Sequence, residues 1–189
     1  DGVRISSFYP KIAQHMDKVC VINSMTTTQG AHAEGEYYLK TAYTKRGTIT
    51  HPHIGAWHSL MLGNNFGTLP AFVKIGNGNL GGGFLPGKYA ATPVGDPNKG
   101  IAYSKRHKSV DKEIFDKRIV MLNKMNSAFQ QQNDFKGVRS YIDTYKAAIE
   151  LMSSKDLNTF NIQGESKKMK ERYGNNRFGQ GCLLARRLV

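Results

Sequence analysis

Apolar side chains that recur with helical spacing divide much of the chain into predicted amphipathic helices. The two longest predicted helices cover residues 111–131 and 135–152, with shorter ones at 6–18, 31–43, 54–62 and 165–173. Only three polar residues separate the two long segments, which predicts an antiparallel helical hairpin. We expect the aromatic and methionine side chains of this hairpin to form core rather than a cofactor site, with Ser109 as the N-cap of its first helix.

Short apolar runs predict strands at residues 19–22 and 71–75. The first run, Val19-Cys20-Val21-Ile22, is continuous, which is typical of a strand buried on both faces. Residues 76–97 are dominated by glycine and proline, so we expect them to be irregular. These elements favour an α/β fold.

The last residues predict a helix that follows a glycine turn and reaches Val189 without a C-cap. Leu183, Leu184 and Leu188 lie on one side of this helix and require another element to cover them. The chain begins with Asp1 rather than methionine. We therefore interpret residues 1–189 as an internal fragment of one domain of a longer protein, in which an active site can be incomplete.

Composition bounds the function classes. The chain has 189 residues and is 39% hydrophobic and 22% charged, which is typical of a globular domain. No apolar run reaches the roughly 20 residues needed to span a bilayer. The net charge is +13, but the cations are scattered, and the densest groups, at 105–108 and 167–170, do not interleave with aromatics. This pattern argues against nucleic-acid binding and favours a solvated surface, or a field that attracts anionic substrates.

The two cysteines, Cys20 and Cys182, do not have metal-ligand spacing. Each lies in an apolar pattern, so we expect buried free thiols. A single disulfide between them is the alternative, which the sequence does not support.

Two further motifs are weak. Residues 76–81 satisfy the G-x-G-x-x-G pattern after a predicted strand, but a helix does not follow, as a dinucleotide site requires. We interpret that match as accidental. His51, His53 and His58 form the densest histidine group, without a carboxylate or cysteine nearby in sequence. A loop anchored by ring hydrogen bonds is favoured there over a metal site.

The strongest candidate site is the polar segment 23–32, which leaves the first predicted strand and enters a helix near His32. Ligands of open α/β sheets bind beyond the carboxyl ends of the strands, and helix N-termini favour anions. Ser24 and Thr26 would line such a site, and His32 could act as acid, base, nucleophile or metal ligand. The alternative is that the hydroxyls cap the helix and His32 is an ordinary polar residue.

Several segments together resemble a bacterial group, the domain of unknown function 1501 family, within the alkaline phosphatase and sulfatase superfamily. The matching segments are Gly2-Val3-Arg4-Ile5, Pro10-Lys11-Ile12-Ala13, Val21-Ile22-Asn23-Ser24-Met25-Thr26, His51-Pro52-His53-Ile54-Gly55-Ala56-Trp57, and Phe178-Gly179-Gln180-Gly181-Cys182-Leu183-Leu184-Ala185-Arg186-Arg187-Leu188. The last of these is close to a signature. The resemblance implies part of an alkaline-phosphatase-like or sulfatase-like sandwich with a mainly parallel sheet, in which the helical hairpin is inserted at about 109–153.

The resemblance also implies an exported protein that hydrolyses phosphate or sulfate esters. It implies a divalent metal (Zn, Ca or Mg) as cofactor, whose ligands lie mostly outside this fragment. It places His32 at or near the sulfatase nucleophile, as a catalytic or metal-binding residue with Ser24 and Thr26, and makes His51 a supporting residue behind them. Asn23 stands where the family has arginine, and Thr27 where it has histidine. An oxidised-cysteine sulfatase mechanism is not supported, because His32 is not the expected residue type.

The second hypothesis is a non-catalytic exported binding or structural protein on the same scaffold. The glycine-rich loop, with Gly81, Gly82 and Gly83, would then contact a polysaccharide or another protein. Nucleic-acid binding through the positive charge is the third and weakest hypothesis. The sequence leaves the substrate, the metal and the oligomeric state open.

Overall fold

The computed structural model describes residues 2–63, 67–78 and 80–189. Asp1 lies outside the described residues, and so does Asn79, which belongs to the glycine-rich motif. The fold is α/β, with helices around a small parallel sheet. The elements are α1 (Pro10–Ala13), α2 (His32–Thr41), α3 (Ile54–Leu62), β1 (Val73–Ile75), β2 (Thr92–Val94), α4 (Lys112–Gln132), α5 (Lys136–Ser153), α6 (Lys167–Tyr173) and α7 (Arg177–Leu188). Single-turn or longer 3-10 helices cover Met16–Lys18, Gly87–Tyr89, Lys155–Phe160 and Ile162–Gly164.

Strands β1 and β2 pair in parallel, with Val73 opposite Thr92 and Ile75 opposite Val94. The strand predicted at 71–75 is therefore confirmed in its second half. The expectation that all of 76–97 is irregular was wrong, because this segment contains β2 and the 3-10 turn Gly87–Tyr89. Strand β2 is three residues long and contains Pro93, which lacks a backbone N–H, so its sequence carries little strand signal.

The hydrophobic core lies in the C-terminal half of the chain. Leu183 and Leu184 of α7 are fully buried, as the terminal pattern predicted. They pack in one cluster whose other buried members are Val94, Leu151, Phe160 and Ile162. Helix α7 reaches this position because Gly179 lacks a side chain: a Cβ there would lie 1.9 Å from the carbonyl oxygen of Tyr173.

Helix α4 begins one residue later than predicted and has a different N-cap. The Asp111 side chain accepts a hydrogen bond from the Glu113 amide, 2.7 Å away. Ser109 is not the cap, because its hydroxyl is 2.7 Å from Nδ1 of His107 within the preceding loop. An aspartate at this position satisfies an orphan amide and also places negative charge at the positive end of the helix.

The helical hairpin is confirmed, but the expectation that its apolar stripes are core was wrong for α4. Helix α5 buries Ile142 and Leu151, whereas α4 buries none of its residues. Met125 and Phe129 of α4 are 60% and 55% exposed. The described residues provide α5 as a neighbour on one side of α4 and leave its other apolar side uncovered.

The N-terminal segment differs most from the prediction. The helix expected over 6–18 is reduced to the four-residue α1 and the 3-10 turn Met16–Lys18. The strand expected at 19–22 was wrong: Val19, Val21 and Ile22 are exposed, and this stretch is irregular. A strand needs a partner for its backbone groups, and the only sheet among the described residues is the β1–β2 pair.

Both cysteines are free thiols, but only Cys182 has an environment close to the buried one that was predicted. Cys182 is half-buried in α7, while Cys20 is exposed, so the expectation of a buried thiol was wrong there. Within the described ranges, none of the helices has the length and apolar character needed to cross a membrane.

Candidate functional site

A cluster of ionisable side chains forms where α2, the segment before α3 and β1 approach one another. We call it the histidine cluster and define it as Glu36, Lys40, His51, His53 and Lys74. Helix α2 supplies Glu36 and Lys40 one turn apart, and they form a short ion pair with a charge-assisted hydrogen bond. This helix begins at His32, as predicted, and supplies a regular frame for the site.

His51 is anchored by Tyr37 of α2. The His51 amide donates to Oη of Tyr37 over 2.7 Å, and the same oxygen lies 2.8 Å from Nδ1 of the His51 ring. When the hydroxyl donates to Nδ1, the neutral ring carries its proton on Nε2. The ring also stacks on Tyr43, with centroids 4.3 Å apart and an interplanar angle of 4°. The prediction of a loop anchored by ring hydrogen bonds is therefore confirmed for His51.

The glycine-rich loop supports this anchor from the other side. Gly83 has a φ of +61°, and a Cβ there would lie 2.4 Å from the carbonyl carbon of His51. Phe84 then presents its ring edge to His51 and to Trp57 of α3. Gly82 is buried, and Gly81 is exposed. Gly83 thus has a packing role against His51 in addition to any contact with a ligand.

His53 is the N-cap residue of α3, and its ring is the least satisfied polar group of the cluster. Its Nδ1 atom is buried without a hydrogen-bond partner among the described residues. Burial lowers the pKa of His53 from its ordinary value of 6.5, the positive charge of Lys40 lowers it further, and Glu36 opposes both effects. At neutral pH the ring is therefore uncharged and available as a proton acceptor or ligand.

Glu36 is held in its charged form. The hydrogen bond from Lys40 and the charge of Lys40 lower the pKa of Glu36, the charge of Lys74 acts in the same direction, and so does His53 when its ring is protonated. Lys74 comes from β1, so its influence on Glu36 ties the strand electrostatically to α2. The cluster therefore combines one carboxylate, two ammonium groups and two imidazoles, of which that of His53 is kept neutral.

The residues predicted to form the site do not come together as expected. Ser24 and Thr26 are exposed in an irregular segment, and His32 is exposed at the start of α2. Across the described part of the chain, no hydrogen bond, ion pair or ring contact joins these three side chains. Since His32 precedes Glu36 by four residues on α2, it lies on the same helix face as Glu36.

The resemblance implied a divalent metal, which we tested against the available donor side chains. Residues 2–63, 67–78 and 80–189 contain no group of three or more His, Cys, Asp or Glu side chains that could hold a metal ion. Zinc sites in proteins use at least three such ligands. The described residues therefore do not supply a complete set of metal ligands. The groups that the site itself offers for chemistry are its imidazoles and ammonium groups.

Sequence reasoning missed most of this cluster, although signals for parts of it exist. Glu36 and Lys40 have the i, i+4 spacing of a helical ion pair, and His53 belongs to the histidine group noted above. The roles of Tyr37 and Lys74 have no local signal in the sequence. The hydrogen bond between Tyr37 and His51 and the electrostatic effect of Lys74 on Glu36 both join residues that are distant in sequence.

Comparison with known protein families gives a match over the whole chain. A family described as "Protein of unknown function (DUF1501)" matches residues 1–189. None of the curated proteins matches the chain. None of the solved structures matches it either.

Proposed function

The chain belongs to the DUF1501 family, and we propose that it binds anionic esters at the histidine cluster as part of a phosphatase- or sulfatase-like hydrolase. The observation that carries this proposal is the buried, unpartnered Nδ1 of a neutral His53 beside the ammonium group of Lys40. A polar atom without a partner is costly, so it marks hydrogen-bonding capacity that a bound molecule can use.

The charge of the cluster favours an anion. Lys40 and Lys74 contribute two positive charges against the single carboxylate of Glu36. The chain as a whole carries +13, which raises the local concentration of anionic ligands. Phosphate and sulfate monoesters are the anionic substrates that the family resemblance implies.

In the proposed reaction each group of the cluster has a separate task. Lys40 and Lys74 bind the non-bridging oxygens of the ester and stabilise the negative charge that grows during attack. His53 accepts the proton of the attacking water, because its lowered pKa keeps the ring neutral, and it returns that proton to the ester oxygen as the bond to phosphorus or sulfur breaks and the alcohol leaves. His51, held by Tyr37, fixes the loop that carries His53. His32, with Ser24 and Thr26, would extend the site along α2, as the resemblance implies.

Isothermal titration of the chain with inorganic phosphate and sulfate, and hydrolysis of p-nitrophenyl phosphate and sulfate, test this proposal. We expect Lys40→Met and Lys74→Met each to weaken anion binding, and His53→Asn to abolish hydrolysis while leaving binding largely intact. Lys168→Met is the matched control, since Lys168 is an exposed α6 lysine outside the cluster. Equal affinity in all three lysine variants would contradict the anion site.

His32 is tested separately in the full-length protein. If His32→Ala leaves both metal content and ester hydrolysis intact, a catalytic or metal-binding role for His32 is excluded, and the site is confined to the histidine cluster.

A non-catalytic binding protein is the second candidate, favoured by His32, which is not the residue type expected at the nucleophile position of the sulfatases. In that case the exposed Gly81 would contact a polysaccharide or a protein, since Gly82 is buried and Gly83 packs against His51, and anion binding would occur without turnover. The alkaline-phosphatase-like sandwich and export from the cell are further parts of the proposal, and both are supported by the family resemblance alone.

A further inference from the structure

The loop before α4 presents unpaired positive charge to solvent. Lys105, Arg106 and Lys108 are exposed, and within the described residues none of them has a carboxylate partner. Tyr103 precedes them and is 98% exposed, with a φ of +56°. A left-handed conformation is uncommon for a tyrosine, so this loop holds an aromatic ring in water at a conformational cost.

The same region continues into the uncovered side of α4. Ile114, Met121 and Met125 follow one another at spacings of seven and four residues, so they lie along one face of the helix. Their side chains are 50%, 64% and 60% exposed. The other apolar stripe, with Phe115, Ile119 and Leu122, is half-buried. Helix α4 therefore has two apolar faces, and only one of them is partly covered.

Cations flank the exposed stripe on both sides. At 100° per residue, Arg118 lies on one side of the line through Ile114, Met121 and Met125, and Lys117 and Lys124 lie on the other. Arg118 and Lys124 have no carboxylate partner in the described ranges, whereas Lys117 pairs with Glu113. Residues 99–124 contain eight lysines and arginines and three carboxylates, a net charge of +5.

We propose that the exposed stripe of α4 and the loop 103–108 dock together on an anionic phospholipid surface. An apolar stripe with cations along its edges is the arrangement by which an interfacial helix lies in the headgroup region. The long side chains of Arg118 and Lys124 can extend toward the phosphates while the stripe contacts the acyl chains. Tyr103 has the residue type that favours this boundary, and the loop cations strengthen attraction to anionic lipid.

A second copy of the chain fits this face less well. In a two-fold contact through the stripe, the same surface is used twice, so the cationic edges of one helix would meet those of the other. Like charges that face each other are destabilising, and Glu113, the carboxylate beside the Lys117 edge, is already paired with that lysine. Charge complementarity therefore favours anionic lipid.

Co-sedimentation of the chain with phospholipid vesicles tests this proposal. We expect binding to equimolar phosphatidylcholine–phosphatidylglycerol vesicles and little binding to phosphatidylcholine alone, with the affinity falling as salt is added. The triple variant Lys105→Gln, Arg106→Gln, Lys108→Gln should bind on the order of 100-fold more weakly, because each cation near the surface contributes to attraction. The double variant Met121→Gln, Met125→Gln should bind roughly tenfold more weakly or worse.

Matched controls separate docking from general charge and from folding. Val120→Gln changes another exposed apolar residue of α4, on the face away from the stripe, and should bind as the unchanged chain does. Lys11→Gln, Lys155→Gln, Lys168→Gln removes the same charge from other elements and should cost far less affinity. Circular dichroism should give the same helix content for all variants, since every changed side chain is exposed.

Two results would overturn the proposal. One is equal affinity for neutral and anionic vesicles, or equal losses in the loop variant and its charge-matched control. The other is sedimentation of the chain as a dimer that Met121→Gln, Met125→Gln dissociates, without vesicle binding, which would assign the stripe to a second copy of the chain.

Discussion

Helices α4 and α7 have similar sequence patterns and opposite environments. Both contain apolar residues at helical spacing, and both are helical in the structure. Helix α7 is 12 residues long and buries Gly179, Leu183 and Leu184, whereas α4 is 21 residues long and buries none. Hydrophobic periodicity therefore identifies the helix, but it does not determine whether a neighbour covers the apolar face.

The difference arises from what surrounds each helix. Helix α7 approaches α6 and β1 through Gly179 and Gly181, whose missing side chains allow close contact. Arg187 of α7 also binds Glu165 and the carbonyl oxygen of Thr159, 2.9 Å from its Nε atom. Helix α4 contacts α5 on one side, and its ion pairs join residues of the same helix.

The largest expected effect comes from truncating the core of α7. Leu184→Ala removes methyl groups from a fully buried position and should lower the free energy of unfolding by about 2–5 kcal/mol. Met121→Ala in α4 is the matched substitution and should change it by less than about 0.5 kcal/mol. Urea denaturation followed by circular dichroism measures both. Equal losses would mean that α4 is covered in solution.

A smaller volume change tests the close approach of α7. Gly179→Ala places a Cβ 1.9 Å from the Tyr173 carbonyl oxygen, so we expect a loss of about 1–3 kcal/mol. Gly164→Ala is the control, because nothing lies within 4 Å of the added atom. Thermal unfolding compares the two variants. A stable Gly179→Ala variant would contradict the tight α6–α7 contact.

The ion pair of Glu165 is expected to contribute less. Its side chain is 17% exposed and pairs with Arg187 and, at 3.9 Å, with Arg186. Glu165→Gln should cost about 1 kcal/mol, between the values for surface and buried pairs. Glu171→Gln, whose pair with Lys167 is exposed, should have no measurable effect in the same urea titration. A larger loss of unfolding free energy for Glu171→Gln than for Glu165→Gln would contradict the conclusion that the Glu165 pair is the stronger one.

The smallest expected change in the free energy of unfolding comes from the titration of His53. Because its pKa is lower in the folded chain than the ordinary 6.5, the unfolded chain binds the proton first as the pH falls. The free energy of unfolding should therefore decrease as the pH falls from neutral through the range just below 6.5, and His53→Asn should remove this contribution. NMR titration of the imidazole gives the pKa directly. Lys40→Met should raise it and Glu36→Gln should lower it further, whereas the same direction in both variants would contradict the proposed contacts.

Most helices of this protein were predictable from the sequence, and the candidate site was not. Helix α2 begins at the predicted His32, and α3 has the predicted bounds, because the spacing of apolar residues along a helix is a local property. The histidine cluster joins α2 to His53 and to β1, and such contacts depend on how distant segments approach. Ser24 and Thr26 were predicted as site residues because they follow the strand expected at 19–22, and the described structure has no strand there.

By itself, the sequence determined the type and place of the long helices, the glycines that permit close packing, and the excess of positive charge. Tertiary structure decided which apolar faces are buried, because burial depends on a covering neighbour and not on periodicity. Tertiary structure also decided the protonation state of His53. A histidine side chain can be neutral or charged near neutral pH, and here burial and the charge of Lys40 keep the ring neutral.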